Sequence, residues 1–271
     1  MLNMRSAIKI LACQGICSSV YAFVPPAAPH RSPVHATETA TAEIDNPRLS
    51  GLALMLDDGT RKSHSMAQNT QFVTGFFKGL ADKDSYKSLI TSLFFVYESM
   101  EEAMDNTSEG GVLALDFPAL RRLPPLKKDM VFFYGENWEK QIRLSRASEE
   151  YVARVQEVAR TKPYLMVAHQ YTRYLGDLFG GQMMGGMASR SLGLENGDGT
   201  AFYTFEDIPS PKDFITAWYR RLNDLEFTEE QKQEIVDEAN LVFDLNIGLL
   251  QELEGSPLKA MLTLVINSLK E

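Results

Sequence analysis

Residues His169 to Gly186 read HQYTRYLGDLFGGQMMGG, and this stretch decides the fold. His169, Arg173, Asp177 and Gly181 stand at steps of four, which places them on one face of a helix. Gly176, Gly180, Gly181, Gly185 and Gly186 crowd into the same turns. Each glycine costs roughly 1 kcal/mol against alanine inside a helix. The five together cost about 5 kcal/mol, comparable to the whole stability of a small domain. Something must offset that cost. Glycine lets a backbone approach a surface closely and lets a helix bend, and a flat cofactor lying against the helix would use both. Two alternatives stay open: a tight crossing of two helices, or a simple helix break at Gly180-Gly181. A phosphate loop does not fit, because no Lys-Ser/Thr pair and no preceding strand accompany the glycines. Asp177, four residues after Arg173, is by default a surface ion pair. Between Gly176 and Leu178 it could instead point into a cavity and hold water there.

The rest of the chain also reads as helical. Ser85–Met104 places Leu89, Leu93, Tyr97 and Met100 at helical spacing, and Glu229–Leu253 does the same with Ile235, Ala239, Val242, Phe243 and Ile247. No run of alternating β-branched residues between turn signals appears after about residue 46. Turn signals at 106–111, Pro124-Pro125, 196–199 and Pro209-Ser210-Pro211 divide the helices. The expected architecture is all-α: one domain over residues 46–271 of the 271, with about eight helices and no internal repeat. A net charge of −9 argues against nucleic-acid binding. Both cysteines, Cys13 and Cys17, lie near the N-terminus, so the body would have neither disulfides nor thiol chemistry. Of the four histidines, only His64 and His169 fall in the expected domain.

Residues 1–22 read as a signal peptide, with Arg5 and Lys9 ahead of a short apolar run. Residues 23–45 are rich in Ala, Pro, Ser and Thr, as transit peptides are. The Ala22-Phe23 join resembles the cleavage motif of bipartite leaders in algae with red-type secondary plastids. Delivery to the plastid stroma is the expectation, with ordinary secretion as the alternative. No segment is long and apolar enough for a transmembrane anchor, and the C-terminal LKAMLTLVINSLKE is short and amphipathic.

The distal stretch resembles the haem oxygenase signature HxYTRYLGDLSGGQ, with Phe179 in place of serine. GTRKSHSMAQNTQFVTGFFKG (59–79) is similar to the family's proximal helix. FFYGENWEKQI, GTAFYTF and DEANLVFDLNIGLLQELEG resemble further family segments in the same order. The resemblance covers roughly residues 50–256 and is nearest in wording to the soluble cyanobacterial and algal plastid branch. It implies haem held between a proximal helix and a glycine-kinked distal helix. It also implies a reaction in which haem, oxygen and electrons give biliverdin, carbon monoxide and ferrous iron.

The resemblance assigns roles residue by residue. His64 matches the proximal ligand of haem b iron, and His169 matches a distal histidine that does not ligate. Gln68 stands where relatives carry glutamate, so the imidazole would be less basic and the iron slightly more electron-poor. Gly176, Gly180 and Gly181 match the backbone over the haem. Asp177 matches the carboxylate that anchors water against iron-bound oxygen, and Arg173, Thr172, Tyr97 and Asn246 match other members of that network. Phe76 and Phe243 match aromatics lining the pocket. Arg61 and Tyr171 match positions that serve the propionates. A further basic pair of the family falls on Ile215 and Tyr219, unless a one-residue slip makes Arg220 its arginine. That departure, with Phe179, leaves the edge carbon attacked undecided.

No flavin or nicotinamide motif is present, so electrons come from outside, with ferredoxin as the expected donor and a bilin reductase as a possible consumer of the product. Docking an acidic ferredoxin to an acidic enzyme needs a basic patch, and Arg121-Arg122 with Lys127-Lys128 is one candidate. A monomer is expected. The competing reading is a protein that stores, senses or delivers haem without degrading it. Such a protein would have no need of Asp177 and Arg173. A bilin carrier, the second competitor, would have no need of an axial histidine.

Overall fold

The computed structural model describes residues 46–77 and 82–253. The leader, residues 1–45, and the C-terminal segment after residue 253 lie outside the described residues. Among the described residues there are nine α-helices and no strand. In chain order they are α1 (Gly51–Gln68), α2 (Gln71–Phe77), α3 (Lys83–Asp105), α4 (Gly110–Leu115), α5 (Leu123–Tyr134) and α6 (Arg146–Thr161). The distal helix follows as α7, in three contiguous pieces: Met166–His169, Gln170–Leu175 and Gly176–Leu192. Pro211–Asn223 is α8 and Glu229–Leu253 is α9. The all-α expectation holds, and no helix among the described residues is long and apolar enough to cross a membrane.

Short-range chemistry sets the helix starts. Asp82 caps α3 by accepting from the N–H groups of Asp84 and Ser85, at 3.0 and 2.9 Å. Ser145 caps α6 and Ser210 caps α8, with Pro211 at the first helical position. Two expected turns prove to be helix starts. Pro124-Pro125 lies in the first turn of α5, where proline's missing N–H costs nothing, and Gly110-Gly111 opens α4. At Gly111 a Cβ would stand 2.8 Å from the Phe227 ring, so only glycine allows that approach.

Helix α9 ties the two sides of the site together. It lies so close to α1 that a Cβ on Gly59 would be 2.4 Å from Val236 Cγ1. Asn240 Nδ2 donates to the Gly59 carbonyl at 3.1 Å, and Ser63 Oγ donates to Asn240 Oδ1 at 2.5 Å. Towards α7 it presents Glu238, which meets His169 Nε2 at 3.1 Å, and Asn246, whose Oδ1 accepts from Arg173 Nη1 at 2.6 Å. Trp218, Tyr86, Tyr97, Tyr151, Phe76 and Phe202 are among the largest side chains fully buried in the described residues.

The expected glycine kink is placed differently. Gln170–Leu175 is wound as a π-helix, ahead of the glycines. None of the glycines from 176 to 186 has a positive φ, and Gly176 itself is regular helix at φ −60°, ψ −46°. A π-turn inserts one residue and re-aims the side chains around it, and such turns concentrate at functional sites.

Glu238 is buried, and desolvation alone would raise its pKa. Hydrogen bonds from His169 and Arg154 outweigh that and bring it down to about 2. Its ordinary value is 4.5, so this stabilisation is complete above pH 4.5 and disappears as pH falls towards 2. Arg154 is partly exposed, which limits the contribution to about 2 kcal/mol. Glu238→Gln is expected to lower stability by that amount at pH 7 and to flatten the decline of stability between pH 4.5 and 2, both measured by urea unfolding.

Candidate haem site

The site is assembled on the π-turn. Arg173 projects from it and makes two charge-assisted bonds: Nη2 donates to Asp177 Oδ2 at 2.8 Å and Nη1 to Asn246 Oδ1 at 2.6 Å. Tyr97, on α3, donates its hydroxyl to the same Asp177 oxygen. Asn246 is oriented by donating to the Val242 carbonyl at 2.7 Å. Arg173 and Asp177 keep side-chain exposures of only 13% and 15%, so they border open space without being bathed in it. Burial raises the Asp177 pKa, and Arg173, Tyr97 and Arg122 restrain the rise. Burial pushes the Tyr97 hydroxyl well above the ordinary phenol range, and Asp177 adds to this, so the phenol remains a donor.

Several buried polar atoms around the π-turn lack a protein partner. Thr172 Oγ1, Arg173 Nε, His169 Nδ1, Gln170 Oε1 and the Tyr151 hydroxyl are all of this kind. Buried polar groups without a protein partner are characteristically served by ordered water. Tyr151 was not singled out from the sequence. It sits on α6 with nothing local to mark it, and the fold brings it against the His169 ring, with Arg173 close enough to influence its pKa.

The glycines divide into two faces. Gly176 and Gly180 are exposed, and a Cβ on either would meet nothing within 4 Å. Phe179 and Met183, 45% and 50% exposed, share that apolar front. Gly181 and Gly185 are buried on the opposite side, where a Cβ would stand 2.8 Å from Tyr203 Cδ1 and Tyr203 Cβ respectively. Gly181 therefore does not join Gly176 and Gly180 on the open front. A close approach of protein to the helix explains Gly181 and Gly185, and open space in front explains Gly176 and Gly180.

Opposite chemistry comes from α1. His64 is half-buried, its ring edge-on to Phe243 at 5.7 Å. Burial lowers its pKa, Asp57 works against that and Arg48 adds to it, which favours the neutral, ligating imidazole. Thr60, one turn earlier, lies 3.4 Å from the Tyr171 hydroxyl and links α1 to the π-turn. His169 is fully buried on Glu238, a structural position. Gln68 is exposed near the end of α1. Arg61 is 73% exposed and pairs with Asp58 at 2.6 Å. Phe76 belongs to the core, in an aromatic stack between Phe72 and Tyr86. Ile215 and Tyr219 are each 6% exposed, turned into the core beside Trp218, while Arg220 is exposed.

The expected basic patch is not formed. Arg122 is buried, and its guanidinium donates to four backbone carbonyls. Arg121 is tied to Asp116 and Asp105. Only Lys127 and Lys128 of that group are exposed.

An all-helical frame, a half-buried imidazole on one helix, and an open glycine front beside a buried acid–arginine pair on another define a helical protein built to hold a flat tetrapyrrole. The "Heme oxygenase" family model matches residues 50–252. "Heme oxygenase 1" of Synechocystis is 46% identical over 219 residues, 80% of this chain and 91% of that protein. "Heme oxygenase" of Guillardia theta is 40% identical over 224 residues, 81% and 94% of the two chains. The crystal structure of the Synechocystis heme oxygenase-1, in complex with heme, superposes with a TM-score of 0.76 at 45% identity, covering 81% of this chain and all of that one. The chain belongs to the heme oxygenase family.

The two faces of α7 predict opposite responses to the same substitution. Gly180→Ala should stabilise the haem-free chain by up to about 1 kcal/mol, because helix propensity improves and nothing is struck. Gly181→Ala should destabilise it, because Tyr203 must move. Urea unfolding of the haem-free variants measures both, and equal effects would dispose of the division into faces.

Proposed function

We infer that this chain binds haem and cleaves it oxidatively to biliverdin, carbon monoxide and ferrous iron, using oxygen and external electrons. The observation that carries the reading is the Asp177 carboxylate, paired with Arg173 and accepting from Tyr97, at the edge of the open glycine front. A protein that only stored haem would have no use for a buried carboxylate at that place. The residues suit haem: Gly176 and Gly180 admit a flat ring to the backbone, and Phe179 and Met183 offer apolar contact. Phe243 supports His64, the imidazole that would hold the iron.

In this reading the protein positions water instead of acting as a direct acid. Asp177 accepts hydrogen bonds and would orient water in front of the glycine backbone, where haem would supply the iron for oxygen chemistry. Arg173 works against the rise that burial gives the Asp177 pKa, and Asn246 keeps Arg173 in place. Thr172 and Tyr151 offer unpaired hydroxyls to the same water. Gly176 and Gly180 carry no side chain that would hold the ring away from that network.

We propose further that ferredoxin supplies the electrons, since the sequence carries no flavin or nicotinamide motif. Of the basic cluster first considered, Lys127 and Lys128 are exposed and available to an acidic donor. The bipartite composition of residues 1–45, together with relatives in the algae Guillardia theta and Rhodella violacea, supports delivery to a plastid. There a monomer would pass its product to a bilin reductase.

His64→Ala should abolish the axial imidazole signature in the Soret region, and added imidazole should restore it. Asp177→Ala should bind haem normally, yet stall at oxidised haem intermediates instead of releasing biliverdin under a ferredoxin reducing system. Normal turnover by Asp177→Ala would remove the water-positioning role. A wild-type Soret band that persists under reduction in air would leave a haem-binding protein only.

A further inference from the structure

The segment between α7 and α8 grips the distal helix from behind. Gly199 to Phe205 is anchored from three sides. The Tyr86 hydroxyl of α3 donates to the Gly199 carbonyl at 3.0 Å. Asp129 of α5, 1% exposed, accepts the Ala201 N–H at 2.9 Å and the Phe202 N–H at 2.8 Å on separate oxygens. Arg122, at the foot of α5, donates to the carbonyls of Phe202 and Thr204 at 3.3 and 2.8 Å and lies 3.8 Å over the Phe205 ring. Glu101 in turn holds Arg122 by its backbone N–H at 2.6 Å. Seven residues of connecting chain rarely need two buried ionised side chains to hold them. The expense implies that their place matters.

The segment delivers two rings to the site. Tyr203 presses on the backbone of α7 at Gly181 and Gly185, where no side chain fits between. Phe202 packs its ring 5.4 Å from that of Tyr97, the donor to Asp177. The side of α7 away from Tyr203 is the open front of Gly176 and Gly180. A stop behind a helix determines how far its front face stands forward.

We propose that Tyr203, fixed by Asp129 and Arg122, is a positioning residue that sets the height of the Gly176–Gly180 backbone and of Asp177 over the haem plane. It touches neither haem nor oxygen and acts through the glycine backbone. Gly181 and Gly185 are glycine for its sake, as Gly176 and Gly180 are glycine for the haem. The inference rests on haem lying against the open front, so haem uptake by the wild-type chain is measured first. A wild-type chain that gives no Soret band would overturn the site itself.

The test is a rescue in the haem-loaded full chain. Two properties are read: the pH midpoint at which water on the ferric haem ionises, and the ratio of bilin isomers formed. Gly181→Ala is expected to move both and to slow turnover by up to about 100-fold, as a misplacement near 1 Å does. Gly181→Ala/Tyr203→Ala is expected to bring both properties back towards wild type, because the new methyl would meet Tyr203 Cδ1 and Cε1, ring atoms that alanine lacks. If Gly181→Ala does not fold, Tyr203→Ala alone decides, since it adds no atom to α7 and should shift both properties by itself, in the opposite direction. The proposal is overturned if Gly181→Ala leaves both properties unchanged, or if Tyr203→Ala fails to reverse its change. In the fallback, an unchanged Tyr203→Ala overturns it.

Discussion

The Arg173 guanidinium is the constraint around which the distal side is built. A cation with this little exposure cannot stay without partners, because removing an unpaired charge from water costs several kcal/mol. Its partners come from one turn ahead, Asp177, and from a helix far along the chain, Asn246. Steps of four bring residues 173 and 177 to the same edge. The π-turn at Gln170–Leu175 lies directly ahead of Asp177, with Thr172 and Tyr174 turned inwards. Tyr97 then completes the coordination of the carboxylate from α3. Acid, base and hydroxyls thus share one buried network whose members cannot move independently.

A second ionic group supports the first from below. Glu238 holds His169 and Arg154, and so joins α9, α7 and α6 about two turns of α9 before Arg173 takes hold of Asn246. Because α9 also lies flat on α1 at Gly59, the same rod presents Phe243 to His64 and Asn246 to Arg173. The two sides of the haem site are therefore spaced by one rigid helix. A rod of this kind holds opposed groups at a fixed distance far better than a loop does.

Much of this was legible locally. The helical spacing, the caps at Asp82, Ser145 and Ser210, and the cost of the clustered glycines all follow from residues within a few positions of each other. The distal signature marked Arg173, Asp177 and the glycines, and the resemblance marked Phe243, whose ring meets His64 edge-on, as an aromatic of the pocket. What escaped were the features that a distant neighbour decides and no motif marks. Steps of four placed Gly181 beside Asp177, which holds, but Tyr203 occupies that side of the helix at Gly181. Arg122 looked like part of a surface patch, because two of its carbonyl partners, Phe202 and Thr204, lie 80 and 82 residues away. Tyr151 and Glu238 carried no local mark, since a tyrosine or glutamate on a helix is ordinary until its burial is known.

The sequence by itself determined the all-α class, the family and the chemical identity of the site: an imidazole, a carboxylate, an arginine and a run of glycines. Those properties depend on residue type and on spacing within one helix, which short-range sterics and hydrogen bonding settle. Only the tertiary structure decided which glycines face the ligand and which face protein. It also decided which arginines are buried, and which helix spaces the proximal and distal sides. Those outcomes depend on burial, where the cost of an unpaired charge or an unfilled gap is resolved by whatever group the fold brings alongside, however far away it stands in the chain.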